Sequence, residues 1–115
     1  MKTELEERTK KFAVRVVKAV GGFPKTAEGQ IIGRQLLKAG TSVGANYREA
    51  NRAESRDDFI HKIGVAEKEA AETIYWLETC LETDLGVKEV IDGLHKEAGE
   101  LLAILITIAR KAKHS

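Results

Sequence analysis

Apolar residues recur along this chain at steps of three and four, the spacing of one face of an α-helix. Four segments show the pattern, with short breaks between them. The first covers about residues 3–20, where Leu5, Phe12, Val16 and Ala19 share a face that Phe23 continues. Gly21 and Gly22 stop this helix, and Pro24 disfavours its continuation. The second covers about residues 26–53, with Thr26 as N-cap and Ile32, Leu36, Ala39, Val43, Ala50 and Ala53 as its apolar seam. Four glycines interrupt it: Gly29, Gly33, Gly40 and Gly44. Each interior glycine costs a helix about 1 kcal/mol relative to alanine, so four together demand a packing reason. Gly33, Leu37, Gly40 and Gly44 fall on one stripe. The stripe predicts close approach of another helix or of a large aromatic ring, with a break near Ala39–Gly40–Thr41 as the alternative.

The third segment covers about residues 56–83. Ser55 followed by Asp58 resembles a capping box, with Asp in place of the usual Glu. Ile63, Ala66, Ala70, Thr73, Leu77 and Cys80 form its seam. The fourth covers about residues 87–113, after Gly86. Its seam is Ile91, Leu94, Ala98, Leu101, Leu105, Ile108 and Ala112. Leu102, Ile104, Ile106 and Ala109 make its second half apolar nearly all round, where a bundle helix needs only a stripe of about 100°. Deep burial or a subunit interface would explain this surplus. None of only four helices can be surrounded, which favours the interface.

Short connections between long helices predict antiparallel neighbours. The expected fold is all-α: a single domain, residues 1–115, forming an antiparallel up-down-up-down four-helix bundle. The composition agrees, with 43% apolar and 32% charged residues and one proline. The net charge of +1 is far from that of a dedicated nucleic-acid binder. Its distribution is uneven: residues 1–24 carry six Lys/Arg against three Glu, and residues 55–84 carry three Lys/Arg against eight Asp/Glu. The N-terminus lacks the apolar run of a signal peptide, and the apolar stretch Leu101–Ala109 is far short of the roughly 20 residues that span a bilayer. The expectation is a cytoplasmic protein with no membrane contact.

Candidate chemistry is sparse. Asp58 with His61 and Asp92 with His95 have the i, i+3 spacing of di-iron bundles, but Asp replaces Glu and the pairs fall toward opposite ends of antiparallel helices. Cys80, the only cysteine, sits on an apolar seam as a small core residue. No nucleophile motif or phosphate-binding loop is present, so the expectation is no enzyme, no metal and no cofactor. Arg8, Lys11, Arg15 and Lys18 share one helical face, and Arg110, Lys111 and Lys113 fall near the same end of the bundle. Such a face contacts phosphates or is simply solvated. Ser42, Asn46 and Glu49 cluster on the second helix, opposite Lys62, Glu69 and Glu72 on the third. A satisfied polar network that fixes helix register is the preferred reading, and a ligand groove is the alternative.

The run Gln35–Leu36–Leu37–Lys38–Ala39–Gly40–Thr41–Ser42–Val43–Gly44–Ala45–Asn46–Tyr47–Arg48–Glu49–Ala50 is distinctive. So are Asp58–Phe59–Ile60–His61–Lys62–Ile63, Lys68–Glu69–Ala70–Ala71–Glu72–Thr73 and Trp76–Leu77. Together they resemble the four-helix-bundle family named after proteins encoded in 23S ribosomal RNA intervening sequences. The resemblance covers nearly the whole chain. It implies a homopentameric, ring-like assembly without enzymatic activity, and a connection with RNA. It also extends to the accessory variability protein of diversity-generating retroelements, which binds nucleic acid and a reverse transcriptase through a basic surface. The expected function is a homo-oligomeric binding module that contacts RNA or DNA, beside a nucleic-acid enzyme such as a reverse transcriptase. A protein-interaction adaptor with no nucleic-acid role is the alternative.

Overall fold

The computed structural model describes residues 2–114. They form four helices: α1 Lys2–Gly21, α2 Ala27–Asn51, α3 Arg56–Glu82 and α4 Lys88–His114. No strand occurs among the described residues. The body measures 46 × 20 × 20 Å. Its long axis fits the roughly 40 Å of a 27-residue helix at 1.5 Å per residue.

The helix ends follow from local chemistry. Thr26 Oγ1 accepts the Gly29 N–H at 3.1 Å, which caps α2. Ser55 Oγ accepts the Asp58 N–H at 3.1 Å and caps α3. The Asp58 carboxylate passes over the cap residue, and its Oδ2 accepts from the Glu54 N–H at 3.4 Å. At the end of α3 the chain turns through Asp84 at φ 55°, and the Leu85 N–H donates to the Cys80 carbonyl at 2.9 Å. This is a Schellman closure with an aspartate where glycine is usual. Leu85 folds back into the core beside it.

Helix α1 packs on α2, α2 on α3, and α3 on α4; α1 meets α4 more thinly, and α1 and α3 lie diagonally, with no Cα of one within 8 Å of a Cα of the other. Polar contacts join opposite helix ends. Asn51, at the end of α2, donates to Glu6, near the start of α1, at 2.8 Å. Arg56 Nε, at the start of α3, donates to the Ala112 carbonyl near the end of α4 at 2.9 Å. Phe12, Val16, Leu36, Val43, Ile63, Leu77, Leu94, Leu101 and Leu105 fill the centre. Thr9 and Thr73 are also fully buried, and each hydroxyl donates to a carbonyl of its own helix, at 2.9 Å and 2.7 Å.

The glycine stripe of α2 does not break the helix. It admits α1. A Cβ on Gly40 would lie 2.9 Å from Val16 Cγ2, one on Gly44 2.9 Å from Thr9 Oγ1, and one on Gly33 3.1 Å from Val20 Cγ1 and 3.2 Å from the Phe23 ring. Both expected occupants, a helix and an aromatic ring, are there.

Candidate interaction surface

The basic residues of α1 have different surroundings. Arg8 is held by α4: its Nε donates to Glu97 Oε2 at 2.7 Å, and its Nη2 donates to Glu97 Oε1 at 2.7 Å and to Glu100 Oε1 at 2.8 Å. This fork raises the Arg8 pKa and holds the Glu97 carboxyl below the usual carboxylate range, and the charge of Arg15 lowers Glu97 further. Arg15 reaches toward Gly93, where an added Cβ would lie 3.3 Å from its Nη2. Lys11 and Lys18 are exposed and hold no ion pair among the described residues. Arg110, Lys111 and Lys113 are likewise exposed and unpaired, in or beside the last turn of α4. Positive charge there also complements the helix dipole.

The polar cluster of α2 and α3 is smaller than its sequence suggests. Ser42 Oγ donates to the Lys38 carbonyl at 2.6 Å, and Asn46 Nδ2 donates to the Ser42 carbonyl at 2.8 Å. Both bonds stay within α2. Across the seam, Lys62 Nζ lies 3.8 Å from Glu49 Oε1 and 3.4 Å from Asp58 Oδ2. Glu69 and Glu72 are half-buried and stand outside this group.

The surplus apolar residues of α4 are largely taken up by the bundle itself. Ala109 is 4% exposed, in the core, and so offers no surface to a second copy. Leu102 and Ile104 are half-buried against the core, and Ile106 is half-buried. Ile104 instead floors a groove of about 720 Å³ between α1 and α4, together with Leu5, Ala103 and Ile108. A second groove, of about 480 Å³, runs along the α1–α2 seam past Ala13, Val14, Val17 and Ala45. The sequence pattern did not single out these valines or Tyr75. Val14 is 41% exposed, Val17 49% and Tyr75 60%. Their positions off the apolar seams were the available signal.

Of the other candidate groups, His61 is exposed on α3, and the rest are engaged or sheltered. Asp92 pairs with Lys88 at 2.8 Å, and His95 Nε2 lies 3.1 Å from Glu78 Oε2. No group of three or more His, Cys, Asp or Glu among the described residues could hold a metal ion. Cys80 is fully buried, and loss of solvation pushes its thiol up to about 11, away from the reactive thiolate. No helix among the described residues is long and apolar enough to cross a membrane.

Fold and surface together define a helical-bundle protein whose distinctive features are grooves and charged faces. The chain belongs to the family of 23S rRNA-intervening sequence proteins, whose pattern matches residues 1–107. It is similar to a crystal structure from Bacteroides thetaiotaomicron, a protein of unknown function from the S23 ribosomal protein family. The two are 38% identical with a TM-score of 0.84, over 90% of this chain and 96% of the other. No curated protein matches the chain.

Proposed function

We propose that this protein is a non-enzymatic, cytoplasmic binding module. It works as a homo-oligomer of antiparallel up-down-up-down bundles and contacts RNA or DNA through a basic surface. The carrying observation is the set of cations left without partners: Lys11 and Lys18 on α1, and Arg110, Lys111 and Lys113 on α4. Arg8 is excluded, because Glu97 and Glu100 already neutralise it. A ring of bundles, pentameric by family resemblance, would repeat the small patch and turn weak contacts into a useful affinity. A nucleic-acid enzyme such as a reverse transcriptase is the protein partner this reading suggests.

The test is binding of a short RNA and a short DNA by the intact oligomer at several salt concentrations. Lys11→Glu combined with Lys111→Glu and Lys113→Glu should weaken binding and flatten its salt dependence. Absence of any binding by the wild type at low salt would sink the nucleic-acid role. The Arg8 clamp and the net charge of +1 favour the second reading, a protein adaptor with no nucleic-acid role.

A further inference from the structure

Two exposed apolar features lie on different sides of the bundle. The first is the groove on the α1–α2 seam. Val14 and Val17 form one shoulder, and Ala13, Gly44 and Ala45 keep its floor low. Its charged lining residues are Lys10, Lys18 and Arg48, with no carboxylate among them. Arg48 has only a 4.0 Å approach to Glu6.

The second feature is Tyr75 on α3, whose ring meets Trp76 edge-on with centroids 4.9 Å apart. At 60% exposure it is a large apolar side chain facing solvent. On a helix, residues three apart are neighbours, so Glu72 and Glu78 flank it. Glu82 lies one heptad further along the same stripe. Lys68, one heptad before Tyr75, is the one cation at this spacing, and Glu78 also lies against His95 at 3.1 Å, so the projection sits in a net acidic setting.

The two features are complementary in shape and in charge. One is a shallow apolar groove rimmed by cations, and the other an aromatic projection rimmed by carboxylates. Their lengths agree as well. Lys10 to Lys18 spans about 12 Å of helix and Glu72 to Glu82 about 15 Å, at 1.5 Å per residue. A bundle cannot fill its own groove this way, because Tyr75 points to solvent from α3, the helix diagonal to α1.

We infer that the α1–α2 groove receives the Tyr75 edge of α3 from a second copy of this chain. The contact is head-to-tail. Each copy offers one groove and one projection, so the contact repeats from copy to copy. The cations at Lys10, Lys18 and Arg48 meet Glu72, Glu78 and Glu82, which fixes the direction and opposes groove-to-groove pairing by like charge; Lys18 then belongs to this contact, and Lys11, Arg110, Lys111 and Lys113 remain for nucleic acid. This inference rests on the homo-oligomeric reading above and names the surfaces that would build it.

The experiment uses two full-length variants, Val17→Glu in the groove and Tyr75→Glu on the projection. Both positions are exposed, and circular dichroism melts check that both variants fold. Sedimentation of the wild type should show the oligomer, and each variant alone should run as a monomer. A one-to-one mixture should form a dimer and stop there, because only one intact groove and one intact projection remain. If either variant keeps the wild-type oligomer, this contact is overturned while the oligomeric reading stands. A mixture that stays monomeric overturns the head-to-tail pairing. A wild type that is monomeric at every concentration overturns the oligomeric reading and this contact with it.

Discussion

Helix α1 has two neighbours and meets them by different physics. Against α2 its backbone comes close, because Gly33, Gly40 and Gly44 present no side chain where Val20, Val16 and Thr9 arrive. Against α4 it stands off, and the gap holds the groove floored by Leu5, Ile104 and Ile108. What joins α1 to α4 at its polar edge is the fork from Arg8 to Glu97 and Glu100. One seam is dry packing at short range, indifferent to pH. The other is part apolar contact, part charge, and answers to proton concentration. The first fixes where α1 lies, and the second leaves room beside it.

The largest expected effect breaks the close seam. A Cβ on Gly44 meets the Thr9 hydroxyl at 2.9 Å and the Thr9 backbone carbon at 3.3 Å, and backbone cannot swing aside. Overpacking a tight contact costs about 1–3 kcal/mol, and the helix propensity of alanine returns about 1 kcal/mol. Gly44→Ala should therefore destabilise by up to about 2 kcal/mol in a urea melt. Gly64 supplies the contrast. It is exposed in α3, and nothing lies within 4 Å of its would-be Cβ. Gly64→Ala should stabilise by about 1 kcal/mol through propensity alone. Equal signs for the two substitutions would refute the packing account of the seam.

The second test breaks the charged seam. Glu97→Gln keeps the shape and removes the charge that Arg8 grips. The Arg8 side chain is 38% exposed, so solvent screens the pair, and the expected loss at neutral pH is about 1 kcal/mol. The direction with pH follows from the lowered Glu97 pKa. Its contribution is complete above the unfolded carboxylate range near pH 4.3 and is lost as pH falls through the lower folded value. The Arg8 shift lies on the alkaline side and adds nothing to the acid limb. Wild type and variant should therefore converge in stability as pH drops below about 4. A gap that persists at about pH 2 would show that Glu97 acts through packing instead.

The same contrast explains what was legible in the chain. Hydrophobic period and capping residues are local, and they place all four helices to within one or two residues of Lys2–Gly21, Ala27–Asn51, Arg56–Glu82 and Lys88–His114. The α2 glycine stripe was legible too, because a helix does not carry Gly33, Gly40 and Gly44 on one face without a reason in packing. The surface was less so. Arg8, Lys11, Arg15 and Lys18 share a face of α1, but whether a cation is free depends on what the next helix carries. Glu97 and Glu100 are 89 and 92 residues away in sequence. The apolar surplus of α4 likewise could not be divided between core and surface without the distance to α1. That distance sends Ala109 inside and leaves Ile104 on a groove floor.

The smallest test separates two uses of glycine. At Gly40 and Gly44 the demand is for space, whereas at Asp84 it is for a backbone conformation, and there the chain has no glycine. Asp84 sits at φ 55°, where a side chain is disfavoured, and it follows α3 at the negative end of the helix dipole. Asp84→Gly relieves both, by about 1 kcal/mol for the dihedral and a few tenths for the charge. Against this, glycine widens the unfolded ensemble at a cost of about 0.4–1 kcal/mol. The balance is a gain of about 0.5 kcal/mol, with the Leu85-to-Cys80 closure intact. Asp84→Ala keeps the strain and should gain only the charge term. If alanine stabilises more than glycine by the full unfolded-state cost, about 0.4–1 kcal/mol, the left-handed turn carries no strain. Of these three positions, only Gly40 and Gly44 would then answer a steric demand, the close approach of Val16 and Thr9 on α1.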